Sequence, residues 1–170
     1  MTASERREAI LSYLHSSDSP VSASSLAARL SVSRQIIVGD IALLRAAGHE
    51  IEATPRGYVL PRGGSGMRRT VACVHSVGDT ARELYAIVDN GCTAIDVVVE
   101  HPIYGQIVGQ LQLRSRYDVD RFVEKLEGAP PLSALTGGIH LHTIECPDEE
   151  AYRRVLAALR REGFLLEEQA

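Results

Sequence analysis

Four side chains have the types and spacing to bind a cation: His75, Glu83, His140 and His142. Three imidazoles and one carboxylate make a donor set suited to zinc, nickel or iron. His140 and His142 are two residues apart, so on a strand they share one face. Alternation alone leaves open whether that face meets the core or the solvent. His75 closes a strand-like stretch, and Glu83 lies about one turn into the helix-like stretch that follows, facing either solvent or the sheet. Cys73 and Cys146 fall at even spacing from the histidines. Apolar packing is the expected role of both thiols, with a place beside the metal as the alternative. Glu145 and Asp96 read as surface or pairing carboxylates.

A second set of residues has the pattern of a DNA reader. Ser33 caps a helix that opens with Arg34-Gln35, after a second short helix and the tight turn Leu30-Ser31-Val32. Ile37, Ile41 and Leu44 fall at i, i+4 and i+7 toward a core, which turns Ser33, Arg34, Gln35, Ile36 and Val38 outward or sideways. Arg34 suits guanine or phosphate, Gln35 suits adenine, and Ile36 and Val38 suit thymine methyls. Gly39 weakens the helix by about 1 kcal/mol but allows close approach to DNA. Arg56 sits at a hairpin tip, where a wing meets phosphate or minor groove. The competing reading is a three-helix protein-interaction domain.

These residues need positioning elements. Helices are expected at about 4–15, from Ser22, and from Ser33 to Gly48, followed by strands at 50–53 and 58–60. Pro61-Arg62-Gly63-Gly64-Ser65-Gly66 reads as a linker. Beyond it, strands are expected at 70–75, 94–100, 106–113, 139–145 and 164–167, and helices at 79–90, 117–127 and 147–162. The predicted class is α+β: a winged helix-turn-helix at 1–61, a linker at 62–69, and a sandwich-like domain at 70–170 with a mostly antiparallel sheet and helices on one face.

Apolar residues are 45% of the chain, which favours a packed core over disorder. No apolar run approaches a membrane span and no signal peptide is evident, so a cytoplasmic protein is expected. Three cysteines without a CxxC pair argue for free thiols. The net charge of −4 is unevenly spread: residues 1–67 carry seven arginines and six acids, +1, and the remainder carries −5. DNA affinity must then come from a few placed arginines, doubled by dimerisation. His15 and His49 stand at helix ends, where solvated or capping roles are expected.

The run from Leu26-Ala27 through Ser33-Arg34-Gln35, Asp40-Ile41 and Leu44-Arg45 to Ile51-Glu52-Ala53-Thr54-Pro55-Arg56-Gly57-Tyr58 resembles the biotin-repressor-type winged helix. The strings Val74-His75, Glu100-His101-Pro102-Ile103-Tyr104-Gly105 and Gly137-Gly138-Ile139-His140-Leu141-His142 resemble the three-histidine, or 3H, domain. Together the two modules cover nearly the whole chain and resemble the niacin-responsive transcription repressor family. The resemblance implies a divalent metal held by His75, Glu83, His140 and His142, and it implies nicotinic acid as a corepressor acting on NAD-biosynthesis and niacin-uptake genes. The effector is expected at or beside the metal. His101 and Tyr104, in a turn, are the candidates to hold its ring or carboxylate. The implied partners are a homodimer partner and a near-palindromic double-stranded operator with half-sites about 10 bp apart or a multiple of that. Two rival functions stay open: a metal-responsive regulator without a pyridine effector, and a metal-dependent hydrolase fused to a DNA reader. No nucleophile elbow or placed general base favours the hydrolase.

Overall fold

In a computed structural model the chain divides into two units, Met1–Gly63 and Gly64–Ala170. The structure describes residues 1–61, 64 and 66–168. The predicted linker positions Arg62, Gly63 and Ser65 lie outside the described residues.

The first unit has three helices: α1 (Ala3–Ser16), α2 (Ala23–Leu30) and α3 (Arg34–Ala46). Side-chain oxygens start each one. Thr2 forms a capping box with Glu5, Ser22 accepts from the Ser25 amide, and Ser33 accepts from the Ile36 amide. Ile10, Leu14, Leu26, Ile37, Ile41, Leu44 and Ile51 are buried together. A two-stranded wing follows, β1 (Glu52–Thr54) against β2 (Gly57–Val59). β1 begins two residues later than the predicted 50–53.

The wing is fixed at its base. Tyr58 and Val21 exchange both backbone hydrogen bonds, at 2.9 Å each. Gly57, at φ +143, allows this pairing, because a Cβ there would lie 2.5 Å from the Val21 carbonyl carbon. Arg45 adds a tie from α3, donating through Nε to the Ile51 carbonyl at 2.8 Å.

The second unit is a four-stranded sheet built from β3 (Met67–Val74), β4 (Thr93–His101), β5 (Gly105–Leu113) and β6 (Ile139–Cys146), in the order β3-β6-β4-β5. All neighbouring pairs are antiparallel. α4 (Thr80–Val88), α5 (Arg116–Leu126) and α6 (Glu149–Glu162) bury Leu84, Ile87, Val119, Val155 and Leu159 in one core with strand residues Val71, Cys73, Leu113, Ile144 and Cys146. The class is α+β, as the alternation of patterns implied.

In the second unit two strands differ most from expectation. β3 starts at Met67, inside the predicted linker, because Met67 through Val74 pair continuously with β6. The segment 164–167 is not a regular strand but a single bridge between Leu165 and Cys73, with short backbone bonds beside it. No helix among the described residues is long and apolar enough to cross a membrane.

Candidate metal centre and nucleic-acid interface

The structure brings together all four residues of the predicted cation set. β6 alternates strictly, so His140, His142, Ile144 and Cys146 face inward while Leu141, Thr143 and Glu145 do not. Both histidines are 3% exposed. The face that sequence left open is therefore the core face. Glu83 stands one turn into α4, is 1% exposed and points at the sheet. His75 lies just past β3, and its side chain is 2% exposed. The three Nε2 atoms converge on the Glu83 carboxylate: His75 at 2.7 Å, His140 at 2.8 Å and His142 at 3.2 Å.

The other ring nitrogens set the tautomers. His75 Nδ1 lies 2.7 Å from the Ser76 carbonyl, His140 Nδ1 2.8 Å from that of Gly138, and His142 Nδ1 2.7 Å from that of Asp96. A carbonyl oxygen only accepts, so each Nδ1 carries the proton and donates. Each neutral ring then aims an Nε2 lone pair at a carboxylate that also only accepts. Such a cluster needs positive charge in its midst, as protons on the rings or as a metal ion. His75 Nε2 and His142 Nε2 are buried with no well-formed hydrogen bond, although Glu83 oxygens lie within ion-pair distance. Ligating histidines tied through Nδ1 to backbone carbonyls are the usual outer support of a metal site. The donor set therefore fits a divalent transition metal.

Without a metal, ring protons supply that charge. Burial pushes the Glu83 carboxyl up, but the charge of His142, the hydrogen bond from His140 and the close approach of His75 outweigh it and hold Glu83 well below the usual carboxylate range. Burial lowers His75 and His142, but their interactions with Glu83 prevail and raise both.

Local irregularities make this geometry. Gly138 adopts φ +96, and a Cβ there would lie 2.4 Å from the His75 carbonyl oxygen. Only glycine lets the turn before β6 pass so close to one ligand while its carbonyl holds another. In β4 the register toward both neighbours slips between Ala94 and Val98, with the β5 shift at Ala94/Asp96. Asp96 thereby turns its carbonyl to His142 and its carboxylate to the Thr143 amide, 2.9 Å away. Asp96 is a support of the site rather than a surface carboxylate, and a bulge has no marker in the sequence. Glu145 pairs with Arg68 at 3.3 Å, as a pairing carboxylate should.

A cavity of about 210 Å³ opens onto the cluster. Val97, Leu111, Phe122, Leu126 and Leu132 are among its apolar walls, and Gln110 and Ser133 offer polar groups. The Gln110 side-chain oxygen is buried without a hydrogen-bond partner. His101 and Tyr104 do not line this cavity. They sit where the β4–β5 hairpin turns, with His101 Nδ1 accepting from the amides of Ile103 and Tyr104 and with Tyr104 76% exposed. The ring of His101 is engaged in shaping its own turn.

In the first unit, Ser33, Arg34, Gln35 and Ile36 are exposed and Val38 is half-buried. They start and line the outer side of α3, while Ile37, Ile41 and Leu44 are buried. Ile36 is 42% exposed, an apolar side chain in water at the helix entry. A Cβ at Gly39 would touch nothing, so that face is open. Arg56 occupies the wing turn and is half-buried. Sequence reasoning missed Asp40. It is 4% exposed and accepts from Arg6 Nε at 2.5 Å and Arg6 Nη2 at 3.2 Å, pinning α1 to α3. An acid amid the inward stripe of α3, with arginines 34 and 33 positions earlier, was the available signal.

Residues 68–168 match the profile of the 3H domain, and residues 6–59 match that of an HTH domain. The chain is 50% identical to the probable transcription repressor NiaR of Thermotoga maritima, over 96% of this chain and 95% of that protein. It is 38% identical to the transcription repressor NadR of Bacillus subtilis, over 99% and 97% respectively.

Proposed function

Because this chain belongs to the 3H-domain family of winged-helix transcription repressors, we propose that it represses niacin-uptake or NAD-biosynthesis genes, with nicotinic acid as corepressor at a divalent metal site. The observation that supports this most is the cavity of about 210 Å³ lined both by the His75, Glu83, His140 and His142 cluster and by mostly apolar side chains. A flat aromatic ring with one carboxylate matches that division. His75, Glu83, His140 and His142 would hold the ion, which when bound offers its remaining positions to a carboxylate or pyridine nitrogen. Val97, Leu111 and Phe122 would pack the ring and exclude water. The Gln110 side chain, which lines the cavity and has a buried oxygen without a partner, would supply an orienting hydrogen bond.

Ser33, Arg34, Gln35, Ile36 and Val38 would enter the major groove of double-stranded DNA, with Arg56 of the wing on the backbone or minor groove. The working form is a homodimer on a near-palindromic operator in the cytoplasm. The repressor role leaves the histidine cluster as a sensor and not as the centre of a hydrolase.

The test is calorimetric titration of nicotinic acid, nicotinamide and quinolinate into metal-loaded and chelator-stripped protein. Binding of nicotinic acid to the loaded form alone is expected, with Gln110→Leu weakened and His101→Ala unchanged. Equal heats with and without metal would remove the metal from the effector site. No heat with any of the three pyridines would leave a metal-responsive regulator.

A further inference from the structure

We propose that Cys73 is a fifth protein donor of the metal centre, supplying a thiolate to the ion held by the histidines and Glu83. The proposal rests on the metal reading above and adds a sulfur ligand to it. Cys73 is the direct cross-strand partner of His140 in the β3–β6 ladder, so the two side chains stand next to one another on the same face. It is completely buried. Its Sγ, a Glu83 carboxylate oxygen and a His140 ring nitrogen all lie within 4.8 Å of one another. That is the span of atoms around a single transition ion, whose bonds to sulfur and nitrogen are about 2.0–2.3 Å.

A second observation points to the same ion. His142 is 3% exposed, and its buried Nε2 has no well-formed hydrogen bond although it faces the same carboxylate. The thiol thus does not sit among apolar groups alone: it also stands beside Glu83 and His140. Cys92 and Cys146, the other two cysteines, are also buried but belong to no such group of donors among the described residues.

Binding through Cys73 breaks its S–H bond, forms a sulfur–metal bond and releases the proton to water, with no change in oxidation state. A soft donor favours zinc, iron, cobalt or nickel over magnesium and manganese, which prefer oxygen.

Cobalt(II) titration of the full-length protein tests this. The loaded protein should show both visible d–d bands and a near-ultraviolet sulfur-to-cobalt charge-transfer band. Cys73→Val should keep the d–d bands, lose the charge-transfer band and lower affinity for zinc relative to manganese by on the order of tenfold or more. Cys92→Ala should change neither band. Visible bands without a charge-transfer band in the unmodified protein would overturn the thiolate while leaving the four-residue site standing. A charge-transfer band that survives Cys73→Val would overturn it too. The absence of any cobalt signal would overturn both the thiolate and the metal site.

Discussion

At the scale of single residues, Glu83 decides the behaviour of the second unit. One carboxylate, 1% exposed, faces three ring nitrogens. Its carboxyl is held low, so its contribution to stability is present above its ordinary value of 4.5 and is lost as pH falls. His75 and His142 are raised above 6.5, so their contribution is full below that value and is lost as pH rises through the raised ones. The metal-free protein should therefore melt at progressively lower temperature as pH climbs above 6.5. Added zinc or nickel should restore the midpoint, since a cation takes the place of the ring protons, and metal affinity should rise over the same interval. Thermal unfolding with and without chelator measures both, and a metal-free midpoint that climbs with pH contradicts the assignment. His142→Ala should lower metal affinity by more than the roughly 10–100-fold typical of losing an outer-shell partner, read by metal content after dialysis.

At the scale of elements, the turns and the ladder registers place these residues. Gly138→Ala sets a Cβ against the His75 carbonyl and forces a positive φ on a residue that resists it. The expected loss is about 1–3 kcal/mol in denaturant melts together with reduced metal content. Gly137→Ala, also at positive φ but with nothing within 4 Å, should be milder and keep its metal. Ser33→Ala removes the cap of α3 and should cost about 1 kcal/mol, weakening operator binding while metal content stays unchanged.

These elements also mark how far a sequence carries. Period-two alternation in residues 139–146 and the i, i+4, i+7 stripe of α3 are local, and they were legible. So was the pairing of His140 with His142 on one face. Which strand lies next to which is not local: β6 runs between β3 and β4, and nothing in its own residues says so. That order makes Cys73 a neighbour of His140, and a slip in β4 makes Asp96 a support of His142. His101 and Tyr104 were expected beside a pocket because Pro and Gly flank them. The turn those residues create instead carries both to the end of a hairpin.

At the scale of the molecule, reader and sensor are built from separate stretches of chain. Every residue of the proposed groove-reading set lies before Gly63, and every residue of the metal cluster lies after Gly64. A reader with net charge +1 cannot hold DNA by field alone. Specific contacts have to be doubled, which calls for two recognition helices on half-sites one helical turn, about 10 bp, apart or a multiple of that. Nicotinic acid can change operator affinity only if the DNA-competent state of the protein binds it more tightly than the other state does. Reciprocity then requires operator DNA to tighten nicotinic acid binding by the same factor. With metal present, the acid should tighten operator binding by about 5–150-fold, the usual range of such coupling, and saturating operator should tighten the acid equally. Glu83→Gln should abolish both effects while leaving the weak, salt-sensitive binding to unrelated DNA intact. Arg34→Ala should do the opposite, weakening operator binding and lowering the salt slope by about one if it contacts phosphate, with effector binding preserved. Gel-shift and calorimetric titrations on the same protein measure the two directions. Unequal factors, or an operator affinity indifferent to the acid, would separate the sensor from the reader and leave the 3H domain with another task.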